Sequence, residues 1–221
     1  MLQILEPTGE VFEGQFGTFT VDKSDRLGVV IYRSSLAIAT LAFGIGAAIA
    51  LTQPLGSSLL QVIDVLFAVF CLGLGVALWT IHIYLAPLHK ALQALWLTGS
   101  LGAVWVATQQ SGSLIHNLYT QPIALLLSGW VFVALTGIFF KEAFCFNRLE
   151  TKFLTFVVPI VLGGHWLGIL PLSAEKIGLI LWAVLMGVFA FRKLIQPIPP
   201  DLGDKSVFEY LHQKKSGNAL S

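Results

Sequence analysis

Charge is what this chain has least of. Asp, Glu, Lys and Arg make up 11% of its 221 residues, against about 25% in an ordinary soluble domain. Hydrophobic residues reach 56% and mean hydropathy is +0.80. Too little polar surface remains to coat a globule of this size in water. Cysteine is almost absent: Cys71 and Cys145 supply neither a disulfide framework nor metal-ligand spacing. The net charge of +1 leaves no polyanion-binding surface, which excludes nucleic acid as a partner. No H-E-x-x-H, paired acidic motif, phosphate-binding glycine loop or G-x-S-x-G occurs, so no enzymatic activity is expected. No internal repeat appears, and the first thirty residues hold no uninterrupted apolar run of the kind a cleavable signal requires.

What is present is long apolar runs. Crossing roughly 30 Å of hydrocarbon takes about 20 residues. Six stretches meet or approach that length, at 34–52, 62–85, 91–108, 122–140, 154–172 and 174–191. The expected fold is therefore an all-α, six-helix polytopic bundle. Residues 1–33 form a segment leading in, 34–191 the membrane domain, and 192–221 a tail. Ser57 and Ser58 are placed to cap the second helix, Pro122 suits the first position of the fourth, and Ser173 offers a cap for the sixth. Residues 86–90 leave room only for a tight hairpin between the second and third helices. All 13 basic residues except Lys176 fall on one side of this arrangement. The positive-inside rule then puts both termini in the cytoplasm, or in the stroma of a plastid.

Small residues recur at four-residue spacing, as in Ala42, Gly46 and Ala50, or Gly73 and Ala77. Such seams let helices approach closely in lipid. Pro159 should kink the fifth helix. Tyr32 and Tyr84 fit an inner interfacial belt, and Trp105 and Tyr119 an outer one. Trp79, Trp130, Trp166 and Trp182 lie deeper, as packing residues or as walls of a pigment or lipid groove.

Ionisable groups within spans are functional candidates by default. Asp64 is expected in the first turn of its helix, where the dipole favours a carboxylate. His82 and His165 are candidate pigment ligands, the latter beside Gly163 and Gly164, which make room for a flat macrocycle. They differ in depth by roughly 10 Å or more at 1.5 Å per residue, so they cannot share one haem. No cofactor is required, and chlorophyll at His165 is the one alternative. Ser128 and His165 lie at similar depths, but no oxyanion-hole segment accompanies them.

The inner segments carry more varied chemistry. Residues 11–20 read as an extended, glycine-containing stretch, and Asp22 or Ser24 can cap a short helix over 25–33. The loop 139–150 mixes charges of both signs with Phe144 and Phe146. After Pro199-Pro200 a short helix is expected from Asp204, with Val207, Phe208 and Leu211 as its apolar stripe. The partner-binding candidates are Arg26, Arg33, Lys141, Glu142, Phe144, Phe146 and Arg148, with Glu142 expected to pair with Arg26 or Arg33.

The stretches Glu13-Gly14-Gln15-Phe16-Gly17, Asp25-Arg26 with Tyr32-Arg33, and Lys141-Glu142-Ala143-Phe144-Cys145-Phe146 resemble an integral membrane family of unknown function found in cyanobacteria and plastids. The resemblance covers almost the whole chain and implies a thylakoid or plasma membrane of an oxygenic phototroph. It supplies no catalytic residues. The expected role is that of an accessory protein assisting assembly or stability of a larger membrane complex through the inner face. A carrier of small solutes or lipid-like molecules is the alternative, discriminated by a polar cavity entering the bundle.

Overall fold

The structure, a computed structural model, describes residues 9–207, 210 and 213. A hairpin of β1 (Val11–Gly14) and β2 (Gly17–Thr20) comes first. There follow α1 (Lys23–Thr52), α2 (Ser57–Thr80), α3 (Ala86–Gln109), α4 (Leu114–Thr120), α5 (Pro122–Ser128), α6 (Trp130–Phe146), α7 (Leu149–Trp166), α8 (Leu172–Ile195) and α9 (Pro199–Leu202). Apart from the hairpin the fold is all-α.

By length and composition, four helices are fit to cross a membrane: α1, α2, α3 and α8. The pair α5 and α6 makes a fifth if counted as one bent span. That is fewer than the six expected. The missing one is α7, an 18-residue helix carrying Glu150 in its first turn and Pro159 inside. The run read from hydropathy as 154–172 stops at Trp166, because Gly168 adopts φ 66° and turns the chain.

The helices pack as a closed set of neighbours: α1 against α2 and α8, α8 against α7, α7 against α6, α6 against α3, and α3 more lightly against α2. Inside lie Phe43, Phe67, Phe70, Phe132 and Trp182, with ring centroids 4.6–6.1 Å apart. Between helices in lipid such contacts stabilise through dispersion and close fit rather than through release of water. Of the four deep tryptophans only Trp182 is in this core. Trp79, Trp130 and Trp166 are exposed on the bundle's flank, with Leu72, Leu101 and Ile177.

Close approach explains two glycine positions. A β-carbon on Gly73 would lie 2.8 Å from the Ser35 carbonyl oxygen, so α1 and α2 touch backbone to backbone. One on Gly99 would lie 2.4 Å from Val131 N, where α3 meets the break between α5 and α6. That break bends the expected 122–140 helix by 47° at Gly129. There the Phe132 amide reaches back only three residues, to the Gly129 carbonyl.

Several expected boundaries move. Asp22 caps α1 in a capping box with Asp25, and the short leading helix runs straight into the first span. The caps of α2 and α8 are Gly56 and Pro171, without the serine side chains. The connector between α2 and α3 is 81–85, since Pro87 sits within the first turn of α3. The region 139–150 is no loop: α6 continues to Phe146 and turns at Asn147, φ 51°. Residues 205–207 are helical as expected, whereas Phe208 and Leu211 lie outside the described residues.

Candidate functional site

The N-terminal hairpin and residues 196–206 meet at one end of the bundle, and there a cluster of charged side chains is buried. Two helix ends aim their polar groups inward at one point. Glu142, on the last turns of α6, is wholly buried, as is Lys193 near the end of α8. Their ion pair spans 2.8 Å. Lys193 also pairs with Asp201 of α9, and its ammonium stands 4.1 Å from the Phe146 ring centroid. Glu142 accepts hydrogen bonds from Tyr32 Oη at 3.1 Å and Lys141 Nζ at 3.0 Å. Arg33 donates to Asp201 through Nε at 2.7 Å and to the Pro197 carbonyl at 2.8 Å. It also donates to the Gln196 carbonyl.

Three cations, Arg33, Lys141 and Lys193, thus surround two carboxylates. None of these groups has an affordable alternative in a low-dielectric site, because removing one partner strands a buried charge. The cluster is a clasp joining α1, α6, α8 and α9. Beside it, Arg192 donates to Glu150 at 2.9 Å, and Arg148 donates to Gln196 Oε1.

An outer layer covers the clasp. Val21, Val29, Ile198 and Leu202 form a small second core, with Phe12 and Phe19 of the hairpin packed on it. The hairpin turn donates from Gln15 N to Asp204 at 2.6 Å and from Phe16 N to Ser206 Oγ at 3.0 Å. The Gln15 amide and the Ser206 hydroxyl hold the Asp204 carboxyl below the usual carboxylate range. Asp22 is lowered likewise, chiefly by the Asp25 amide. Lys205 ties β2 to α1 through the Thr20 carbonyl and Asp25. Tyr84, from the connector, accepts from Asp204 N and abuts Gly203, whose φ of 69° and lack of a β-carbon admit the phenol. Burial raises the Tyr84 phenol and lowers the neighbouring His82 imidazole.

The sequence-derived partner candidates separate on this evidence. Glu142 does not pair with Arg26 or Arg33; its counter-ions are the adjacent Lys141 and Lys193, 51 residues further along the chain. The α-helical continuation of α6 turns Glu142 inward, where a loop would have left it at the surface. Arg26 and Arg33 are buried, Phe146 is half-buried beneath three cations, and Arg148 is partly buried. Phe144 alone stands out, 84% exposed. Lys193 and Asp201 were missed. The available signal was a lysine within a turn of the last apolar run and an aspartate behind Pro199-Pro200.

The two histidines sit at opposite ends. His82 is in the connector at the charged end. His165, at the far end, has both ring nitrogens engaged within the protein, Nδ1 with Glu175 at 2.7 Å and Nε2 with the Tyr119 carbonyl at 2.8 Å. The Ser128 hydroxyl, buried at the helix break, has no hydrogen-bond partner, so the Ser128–His165 dyad is not formed. Asp64 lies on the eighth residue of α2, not in its first turn, and accepts from Ser113 Oγ, Leu114 N and Ile115 N. Among the described residues no cluster suits a metal ion. A cleft of about 280 Å³ opens on the flank between α6 and α7, walled by Trp130, Phe132, Pro159, Gly163 and Trp166, and its lining is almost wholly apolar.

No curated protein and no solved structure gives a match to this chain. Residues 76–210, from the last turns of α2 to the tail and including the clasp residues of α6, α8 and α9, match the family described as uncharacterised integral membrane protein, DUF2301. The chain belongs to that integral membrane family.

Proposed function

We propose that this protein is a non-catalytic accessory subunit whose charged end docks a larger membrane protein complex and aids its assembly or stability. The observation that carries the reading is the clasp. It joins α1, α6, α8 and α9 beneath one polar, aromatic-bearing platform, while the bundle's flank is exposed apolar surface. A rigid surface of mixed polar and aromatic character is what a specific interface needs.

The topology that goes with this reading has six passes, with both termini in the cytoplasm or stroma. Contacts between the hairpin and residues 204–206 support an even number of passes between them. With α7 counted beside the five candidates the number is six. All basic residues but Lys176 then lie inside. The thylakoid or plasma membrane of a cyanobacterium, or a plastid membrane, is the proposed site, by the resemblance of the inner segments. Transport and pigment carriage are weaker readings: the flank cleft has scarcely any polar lining, and pigment ligation by His165 must first break a bond to Glu175 or Tyr119.

The test is affinity purification from a phototrophic host with Phe144→Ser. The expected outcome is an unchanged thermal midpoint with loss of co-purifying complex subunits. Recovery of the same subunits in the same amounts overturns this docking assignment.

A further inference from the structure

The far end holds a polar assembly that the docking reading leaves unused. There α4, seven residues long, crosses the outer mouths of α2, α3 and α5. Leu118 is buried beneath it, with Leu114 and Ile115 against the core edge. Polar ties hold both of its ends. Asp64 receives the amides of Leu114 and Ile115 at one. At the other, Tyr119 Oη donates to Glu175 Oε2 at 3.1 Å, and the Tyr119 ring stacks on His165 at 4.6 Å.

His165 completes this second tie with an unusual demand. Nδ1 faces the Glu175 carboxylate and Nε2 faces the Tyr119 carbonyl oxygen. A carbonyl oxygen has no hydrogen to give, and neither has an ionised carboxylate. Both bonds together therefore need a hydrogen on each ring nitrogen, or a proton on Glu175 in place of one. In either case the tie contains one proton more than a neutral imidazole beside a carboxylate. The remaining ionisable groups nearby are few: His116 and Tyr119 on α4, and Lys176 beside Glu175 on α8. The residues of α5 carry no charge, nor does the outer half of α7 apart from His165.

We propose that α4 is a pH-sensitive strap over the far end of the bundle, shut while the His165–Glu175 pair holds its extra proton and loosened when that proton leaves. Loss of the proton sets a bare ring nitrogen against an oxygen lone pair, so one bond must break. The strap is thus closed on the acid side and opens as pH rises.

Full-length protein in detergent, with Cys145→Ser and Leu118→Cys, tests this through the maleimide labelling rate at Leu118→Cys. The rate is divided by that of an exposed reference, Ser111→Cys, to cancel the thiol's own pH dependence. Between about pH 5.5 and about pH 8 the ratio should rise roughly fivefold or more. His165→Phe keeps the stacking but neither bond, so its ratio should be high at both pH values. Glu175→Gln should hold it low at both, because its amide donates to a neutral imidazole that still donates to Tyr119. A flat ratio with His165 and Glu175 in place overturns the proposal. So does a rise that survives unchanged in Glu175→Gln.

Discussion

The two ends of this bundle solve the same problem with opposite means. Each must fasten helix ends that hydrocarbon packing alone leaves loose. The end bearing the hairpin uses a sealed cluster of five formal charges, with Glu142 and Lys193 wholly buried and Asp201 and Arg33 nearly so. The far end uses single carboxylates, each partly open: Asp64, bound to two backbone amides and the Ser113 hydroxyl, and Glu175, bound to His165 and Tyr119. The contrast teaches what each end is built for. A buried multi-ion clasp has no low-energy partly open state, so it holds one geometry. Half-exposed single ties can release one at a time, which suits a segment that moves.

The largest effect should come from Lys193→Ala, which removes the cation that Glu142 and Asp201 share, leaves a cavity and should cost about 3–5 kcal/mol, read from unfolding in detergent. Lys193→Met, which fills the space and leaves Glu142 with Lys141 and Asp201 with Arg33, should recover part of that loss. If the single substitution is silent, the clasp is not the rigid end and the comparison fails. Next, Gly99→Ala drives a β-carbon into Val131 N at the helix break and should destabilise by about 1–3 kcal/mol. Gly187→Ala has open space around it and should change nothing by the same measurement.

At the far end, Asp64→Asn removes a charged acceptor from two amides and a hydroxyl. A cost of about 1.5–3 kcal/mol is expected, and it should appear as faster hydrogen exchange confined to α4. A rise spread through the bundle would show that this end is not locally releasable. Smallest is Lys205→Ala, a partly exposed pair with Asp25, worth less than about 1 kcal/mol. Acid should act on the same outer layer through Asp204. Its carboxyl is depressed, so the hairpin contact it makes is intact above the ordinary aspartate value and is lost as pH falls through the lower folded one. Hairpin–tail cross-linking that stays constant into that acid range would contradict this.

Composition and hydropathy alone determined that the chain is an integral membrane bundle of helices and where its apolar runs lie. Those properties are sums over many residues, and lipid as solvent penalises any alternative. The extended character of 11–20 and the cap at Asp22 were also legible, because a strand alternation and a capping box are local. That Glu142 belongs to a charged inner site was legible too. Which cation it meets was not: Lys193 arrives on a different helix, and whether α6 continues past Phe140 or unravels there is settled by what Glu142 can pair with. The bend at Gly129 depends on Gly99 of another helix, and the strap on an accord between Tyr119, His165 and Glu175 from three elements. Such pairings were decided only by the tertiary structure, because a buried polar group finds its partner by position in space and not by spacing along the chain.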